Sequence, residues 1–74
     1  MNAKTWIGLY ADKLGTTAPT PDELKAILEL AGEAAHASER VAAPAACWMA
    51  ARAGVGLQEA LALAREVGLR EPSE

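Results

Sequence analysis

The stretch AAHASERVAAPAACWMAARAG, residues 34–54, decides how this chain is expected to fold. It carries the only histidine of the chain, His36, followed by Arg40 and then by Pro44, which cannot continue a preceding helix. After Pro44 comes an alanine-rich segment in which Arg52 is the only charge. One helix is therefore expected to end before Pro44, and a second, almost uncharged helix is expected to begin there.

Local cap and stop residues on either side of this stretch predict four helices and no strand. Asn2 is a suitable N-cap for the first helix, and Thr20 with Glu23 has the spacing of a capping box at the start of the second. Glycines just past the helical pattern end three of the helices, at Gly15, Gly54 and Gly68. The expected ranges are Ala3–Leu14, Pro21 to about Arg40, Pro44–Ala53, and about Leu57 to Val67.

This order of elements predicts an all-α fold, a compact four-helix orthogonal bundle with short loops. Residues 1–69 are expected to form a single helical domain, and residues 70–74 a polar C-terminal tail. Apolar residues at helical spacing give the expected core, which consists of Trp6, Tyr10, Leu14, Leu24, Ile27, Leu28, Ala31, Leu57, Leu61 and Ala64.

Composition narrows the classes of function. The net charge of −3 and the pI near 5.1 argue against nucleic-acid binding, which needs a basic surface. A single cysteine, Cys47, permits no internal disulfide and no zinc framework, and it is expected to serve packing. No leader and no apolar run of about 18 residues is recognisable, so we expect a cytoplasmic protein with no membrane partner.

The third helix has more apolar surface than three other short helices can cover. A helix that is apolar around its whole circumference is normally buried. We therefore expect Trp48, Met49 and Arg52 to contribute to an interface, either in a homodimer or with another protein partner.

The second helix carries a polar stripe opposite its apolar side. We interpret Glu33, His36, Glu39 and Arg40 as candidate ligand- or partner-binding residues, and His36 is close enough along the helix to pair with Glu33. The alternative is a merely solvated helix face. A further alternative is an anion or nucleotide site, in which His36 and Arg40 act together with the first N–H groups of the third helix.

No metal, cofactor or catalytic site is predicted. Glu33 and His36 lie on one helix face, as in dimetal helical bundles, but that chemistry needs a second such pair and further carboxylates. Cys47 has no histidine near it in sequence that would activate a thiolate. We therefore expect a non-enzymatic protein.

Three segments together resemble a known family. They are Trp6, the run from Ile27 to Gly54, and GLQEALALAREV at residues 56–67. They resemble a small actinobacterial helical domain of unknown function that occurs alone or fused to MobA-like molybdenum cofactor guanylyltransferases. The matching positions are Leu30, Ala31, Ala35, His36, Glu39, Arg40, Ala43, Pro44 and Gly54.

This resemblance implies a non-enzymatic accessory or interaction domain in the biosynthesis of the molybdenum cofactor (molybdopterin-guanine dinucleotide). The implied partner is a molybdenum cofactor guanylyltransferase. The glycine-rich loop and acidic metal ligands of that enzyme have no counterpart here, so no nucleotidyl transfer is implied. Two other hypotheses stay open: a small anion- or nucleotide-binding module that uses His36 and Arg40, and a purely structural, self-associating bundle.

Overall fold

The computed structural model describes residues 1–69, and these residues contain helices and no strand. The helices are α1 (Ala3–Leu14), α2 (Pro21–Ala37), α3 (Ala42–Ala53) and α4 (Leu57–Leu69). The predicted all-α, four-helix fold is confirmed. The predicted polar tail, residues 70–74, lies outside the described residues.

Both ends of α1 are where the cap residues predicted them. The Asn2 side-chain oxygen accepts a hydrogen bond from the Thr5 N–H at 2.8 Å, which satisfies a donor that has no partner within the helix. Gly15 ends the helix with φ of 75°, a left-handed conformation that glycine adopts without steric cost. The start and the stop of α1 are therefore fixed by residues next to them in sequence.

The capping box predicted at the start of α2 is also confirmed. The Glu23 N–H donates to the Thr20 hydroxyl oxygen at 3.1 Å, and the Thr20 N–H donates to the Glu23 carboxylate at 2.9 Å. Pro21 occupies the first helical position, where its missing N–H costs nothing.

The predicted end of α2 was wrong by about one turn. The helix ends at Ala37, because Ser38 leaves the helical conformation at φ −143° and ψ −98°. Its hydroxyl donates to the carbonyl of Ala34 at 2.7 Å. Arg40 consequently lies in the turn between α2 and α3, and the helical stripe of α2 does not include it.

Two further boundaries differ from the predicted ones. Helix α3 begins at Ala42, so Pro44 is its third residue, a position whose N–H would have no partner within the helix in any case. Helix α4 continues through Gly68 to Leu69. A Cβ at Gly68 would lie 4.0 Å from the Cβ of Ala37, which shows that the last turn of α4 runs beside the end of α2.

Helix α2 is the central element of the fold and packs extensively against both α3 and α4. Leu30 is only 2% exposed and forms a buried cluster with Ala60 and Leu61. No comparably extensive contact joins α3 to α4, or α1 to any other helix. The space between α3 and α4 is therefore left open above α2.

The predicted core was correct in part. Leu61 is buried, and the predicted core residues that are half-buried are Leu24, Ile27, Ala31, Leu57 and Ala64. The prediction was wrong for four large residues that are exposed, namely Trp6, Tyr10, Leu14 and Leu28.

The error in α1 concerns which of its sides is buried. The less exposed side carries Ile7 and Gly8, both half-buried, and the buried Ala11. Trp6, Leu9, Tyr10 and Leu14 lie on the exposed side.

Candidate interaction surface

The outer face of α3 is apolar and uncovered. No residue of α3 is buried, although the helix contains a single charge in its last turn. Trp48 is 60% exposed and Met49 is 62% exposed, while Cys47 is half-buried against the core cluster. Helix α3 therefore presents two of the residue types that are enriched where protein surfaces bind one another.

Arg52 accompanies this face. Its guanidinium carbon lies 5.0 Å from the ring centroid of Trp48, one helical turn away, within the range of a cation–π contact. Such a contact orients both side chains without burying either. The structure thus brings together Trp48, Met49 and Arg52, the residues predicted for an interface, on the exposed side of one helix.

A groove runs beside Met49 between α3 and α4, with α2 as its floor. It has a volume of about 530 Å³ and is lined almost entirely by apolar side chains. Leu30 and Ala60 lie at its floor, while Leu63 and Val67 of α4 are exposed at its edge. We use "the α3/α4 groove" below for this feature.

The groove exists because the side chains that form its walls are small. Most of its lining residues are alanines, which fill less space than the leucines found in well-packed helix pairs, and they are Ala34, Ala37, Ala42, Ala45, Ala46, Ala50, Ala53, Ala60 and Ala64. Interior space that the chain itself does not fill forfeits dispersion contacts along its walls. A partner side chain that entered the groove would regain them.

The polar residues predicted as a binding site are spread along the α2–α3 connection. His36 is in the last turn of α2 and is exposed, whereas Glu39 and Arg40 are exposed in the turn that follows. Ser38, between them, lines one end of the α3/α4 groove. These polar residues are therefore close in sequence to a residue that lines that end of the groove.

The spacing of His36 and Glu33 allowed a pair between them, and the structure does not form it. Among residues 1–69, the ion pair that the structure shows joins the Glu33 carboxylate to the Arg65 guanidinium of α4, with an O–N distance of 3.5 Å. Because both side chains are partly exposed, this contact contributes at most about 1 kcal/mol. It links α2 to α4 across their surface.

The start of α3 offers little to an anion. The N–H of Ala42 donates to the Glu39 carbonyl at 2.9 Å, and that of Ala43 donates to the Arg40 carbonyl at 3.1 Å. The third position is Pro44, which has no N–H. The anion-binding alternative therefore rests on the side chains of His36 and Arg40 alone.

The described part of the chain shows neither a metal site nor a membrane-spanning helix. Within residues 1–69, no three histidine, cysteine, aspartate or glutamate side chains are placed to hold one metal ion. Over the same range, no helix combines the length and the hydropathy needed to cross a lipid bilayer.

The sequence did not reveal the groove, and it did not single out Leu63. The expected core included Leu57, Leu61 and Ala64 of α4, but not Leu63. The groove depends on the distance between α3 and α4, which no local pattern encodes. The surplus of apolar residues on α3 was the one sequence signal that pointed to this region.

These features define a small helical domain with an exposed apolar face beside an open groove. The chain belongs to the DUF6457 family, a domain of unknown function, whose profile matches residues 1–71. The predicted resemblance to a family of unknown function is thereby confirmed at that level. No curated protein and no solved structure matches the chain.

Proposed function

We propose that this chain is a non-enzymatic interaction domain that binds a protein partner through the outer face of α3 and the α3/α4 groove. The observation that carries the proposal is the exposure of Trp48 and Met49 on a nearly uncharged helix beside an apolar groove. Aromatic residues, methionine and arginine are enriched in protein interfaces, and all three types occur together here.

The energy available from this surface is large for so small a domain. An aromatic side chain buries about 150–250 Å², so covering the exposed part of Trp48 removes roughly 100–150 Å² from water. At about 25 cal/mol per Å², this burial is worth about 3 kcal/mol before the costs of association. Met49 and the groove edge at Leu63 and Val67 add further apolar area.

The polar residues near the groove complete the proposed surface. Interfaces commonly have an apolar centre and a polar rim, and the rim influences the choice of partner and the rate of association more than the affinity. We assign His36, Glu39 and Arg40 to such a rim, because Ser38, which lies among them, lines the groove.

The partner we propose is a molybdenum cofactor guanylyltransferase, which makes the chain an accessory to molybdenum cofactor biosynthesis. Support for this step comes from the resemblance described above, in which domains of this kind accompany MobA-like enzymes. The interaction surface and the identity of the partner are separable claims, and the experiment below tests them separately.

The test is a binding titration between the purified chain and a purified guanylyltransferase from the same organism. Met49→Glu places a charge at the centre of the proposed surface and is expected to weaken binding about 30-fold or more, as for an interface hot spot. Leu28→Glu is the matched control, because Leu28 is equally exposed but lines neither α3 nor the groove. Far-UV circular dichroism checks that both variants remain helical.

The outcomes separate the two claims. Weaker binding by Met49→Glu and unchanged binding by Leu28→Glu support both the surface and the partner. Equal binding by the two variants contradicts the proposed surface. Absence of binding by the wild-type chain contradicts this choice of partner.

A further inference from the structure

The chain exposes more surface than a compact monomer of its size. Its accessible surface is 5992 Å², whereas a folded monomer of 7.7 kDa is expected to expose about 4,300 Å² from the scaling of surface with mass. Even if residues 70–74 contributed the roughly 870 Å² of a fully unfolded segment, about 800 Å² of the difference would remain. This value is close to the roughly 800 Å² that each partner buries in a standard protein interface.

Large apolar side chains are exposed on α1. Trp6 is 54% exposed and Tyr10 is 50% exposed, and their rings stack at a centroid distance of 4.9 Å. With Leu9 and Leu14 they form a stripe at spacings of three, four and eight residues, which is the pattern of a helix that presents one apolar face. We call these four residues the α1 stripe.

Within residues 1–69, no other helix packs extensively against α1. The surface hollow beside Trp6 is lined by Met1 and by residues of α1. The less exposed side of α1 carries Ile7, Gly8 and Ala11 instead. The α1 stripe is therefore available to another molecule.

We propose that the α3/α4 groove is occupied by α1 of a second copy of this chain, with the α1 stripe inserted into it. This inference rests on the proposed function in taking the α3/α4 groove for a binding surface. Because the groove cannot hold two occupants at once, the dimer leaves the outer face of α3 at Trp48 and Arg52, which does not line the groove, for the guanylyltransferase. An amphipathic helix that lays its apolar face into an apolar groove is a common mode of recognition. The two copies exchange α1 contacts reciprocally, so each copy supplies one helix and one groove.

The dimensions of the two surfaces agree. Helix α1 has 12 residues and is therefore about 18 Å long. Helices α3 and α4, which border the groove, have 12 and 13 residues, so each is about as long as α1. The groove is apolar from its floor at Leu30 to its edge at Leu63, as the α1 stripe requires.

A second copy is favoured over an unrelated helix because the helix and the groove are present on one chain. When each copy donates α1 to the groove of the other, a two-fold axis closes the assembly, and neither apolar surface is left uncovered. A foreign helix in the groove would leave the α1 stripe exposed. The excess of accessible surface on each chain is what we expect when the α1 stripe and the α3/α4 groove are both covered in a dimer.

The test is sedimentation equilibrium of the wild-type chain and of two variants, each altered in one surface. Tyr10→Glu disrupts the α1 stripe and leaves the groove intact, whereas Leu63→Glu disrupts the groove and leaves the α1 stripe intact. Both residues are about half exposed and neither belongs to the buried core, so both variants are expected to stay folded. The wild type is expected at twice 7.7 kDa, and each variant alone is expected to raise the dissociation constant about 30-fold or more.

An equimolar mixture of the two variants provides the sharpest result. The Tyr10→Glu chain still has a groove, and the Leu63→Glu chain still has an α1 stripe, so the mixed dimer keeps one of its two contacts. The mixture is therefore expected to dimerise more tightly than either variant alone. Leu28→Glu, which alters neither surface, is expected to behave as the wild type does.

Three results would overturn the inference. They are a monomeric wild type, a Tyr10→Glu variant that dimerises as tightly as the wild type, and a mixture no tighter than its components. The proposed function is judged by the Met49→Glu titration instead. A monomeric wild type whose binding to the guanylyltransferase is weakened by Met49→Glu would refute the dimer while supporting the interaction domain.

Discussion

Replacing Leu30 and Leu28 separately by alanine tests which side of α2 faces the core. The two residues are two positions apart in one helix and lose the same atoms, but Leu30 is 2% exposed and Leu28 is 61% exposed. Leu30→Ala removes three buried carbon atoms at about 0.8 kcal/mol each and leaves a cavity, so we expect it to destabilise the chain by about 3 kcal/mol.

The corresponding loss at Leu28 should be below about 1 kcal/mol, because most of that side chain is already in water and alanine is the better helix former. Urea unfolding followed by far-UV circular dichroism measures both values, and the midpoints are compared at an unchanged slope. Several protein concentrations keep association out of the comparison. Equal losses for the two variants, or a larger loss for Leu28→Ala, would refute the arrangement of α2 described here.

Two further predictions concern the ends and the interior of helices. Thr20→Ala removes one arm of the capping box and should destabilise the chain by about 1 kcal/mol, and a melting curve unchanged from that of the wild type would contradict the cap. Gly54→Ala forces a side chain into φ of 76° and should destabilise by about 1 kcal/mol, whereas Gly32→Ala, inside α2 with open space around its Cβ, should stabilise by about 0.5–1 kcal/mol. If the same unfolding assay showed both glycine variants shifting the free energy of unfolding in the same direction, this prediction would be contradicted.

The boundaries that the sequence predicted correctly are those with a local chemical cause. Asn2, Gly15 and the pair Thr20 and Glu23 act on backbone groups within a few residues, so their effect does not depend on the rest of the fold. The end of α2 has no such marker. Ser38 leaves the helical conformation and its hydroxyl donates to the carbonyl of Ala34, but a serine can make the same bond inside a continuing helix, so its presence does not mark the end.

The buried faces of α1 and α2 could not be predicted either, because they depend on how the chain packs and not on local sequence. In α2, the residues from Leu24 to Ala35 are apolar over more than half of the helical circumference, so the pattern allows either Leu28 or Leu30 to point inward. Packing against α3 and α4 selects Leu30. In α1, the large side chains indicated a buried face, but the less exposed side carries Gly8 and Ala11 instead.

The sequence predicted one part of the interaction surface and missed the rest. Because α3 is almost uncharged and three short neighbours cannot cover it, Trp48 and Met49 were predicted to lie at an interface, and both are exposed. The role proposed here for Trp6 and Tyr10 could not be read from the sequence, because a stripe of this kind has the same pattern whether it faces the core of its own chain or a second copy. Only the exposure of Trp6 and Tyr10 in the folded chain distinguishes the two.

The most direct test of the central claim is a nuclear Overhauser measurement on a sample that mixes isotope-labelled and unlabelled chains, filtered for contacts between copies. If α1 of one copy occupies the α3/α4 groove of the other, cross-peaks will connect the ring protons of Trp6 and Tyr10 in one chain with the methyl protons of Met49 and Leu63 in its partner. Cross-peaks between copies that join α3 to α3 and omit α1, or a spectrum with no contacts between copies at concentrations well above those used for sedimentation, would contradict the account.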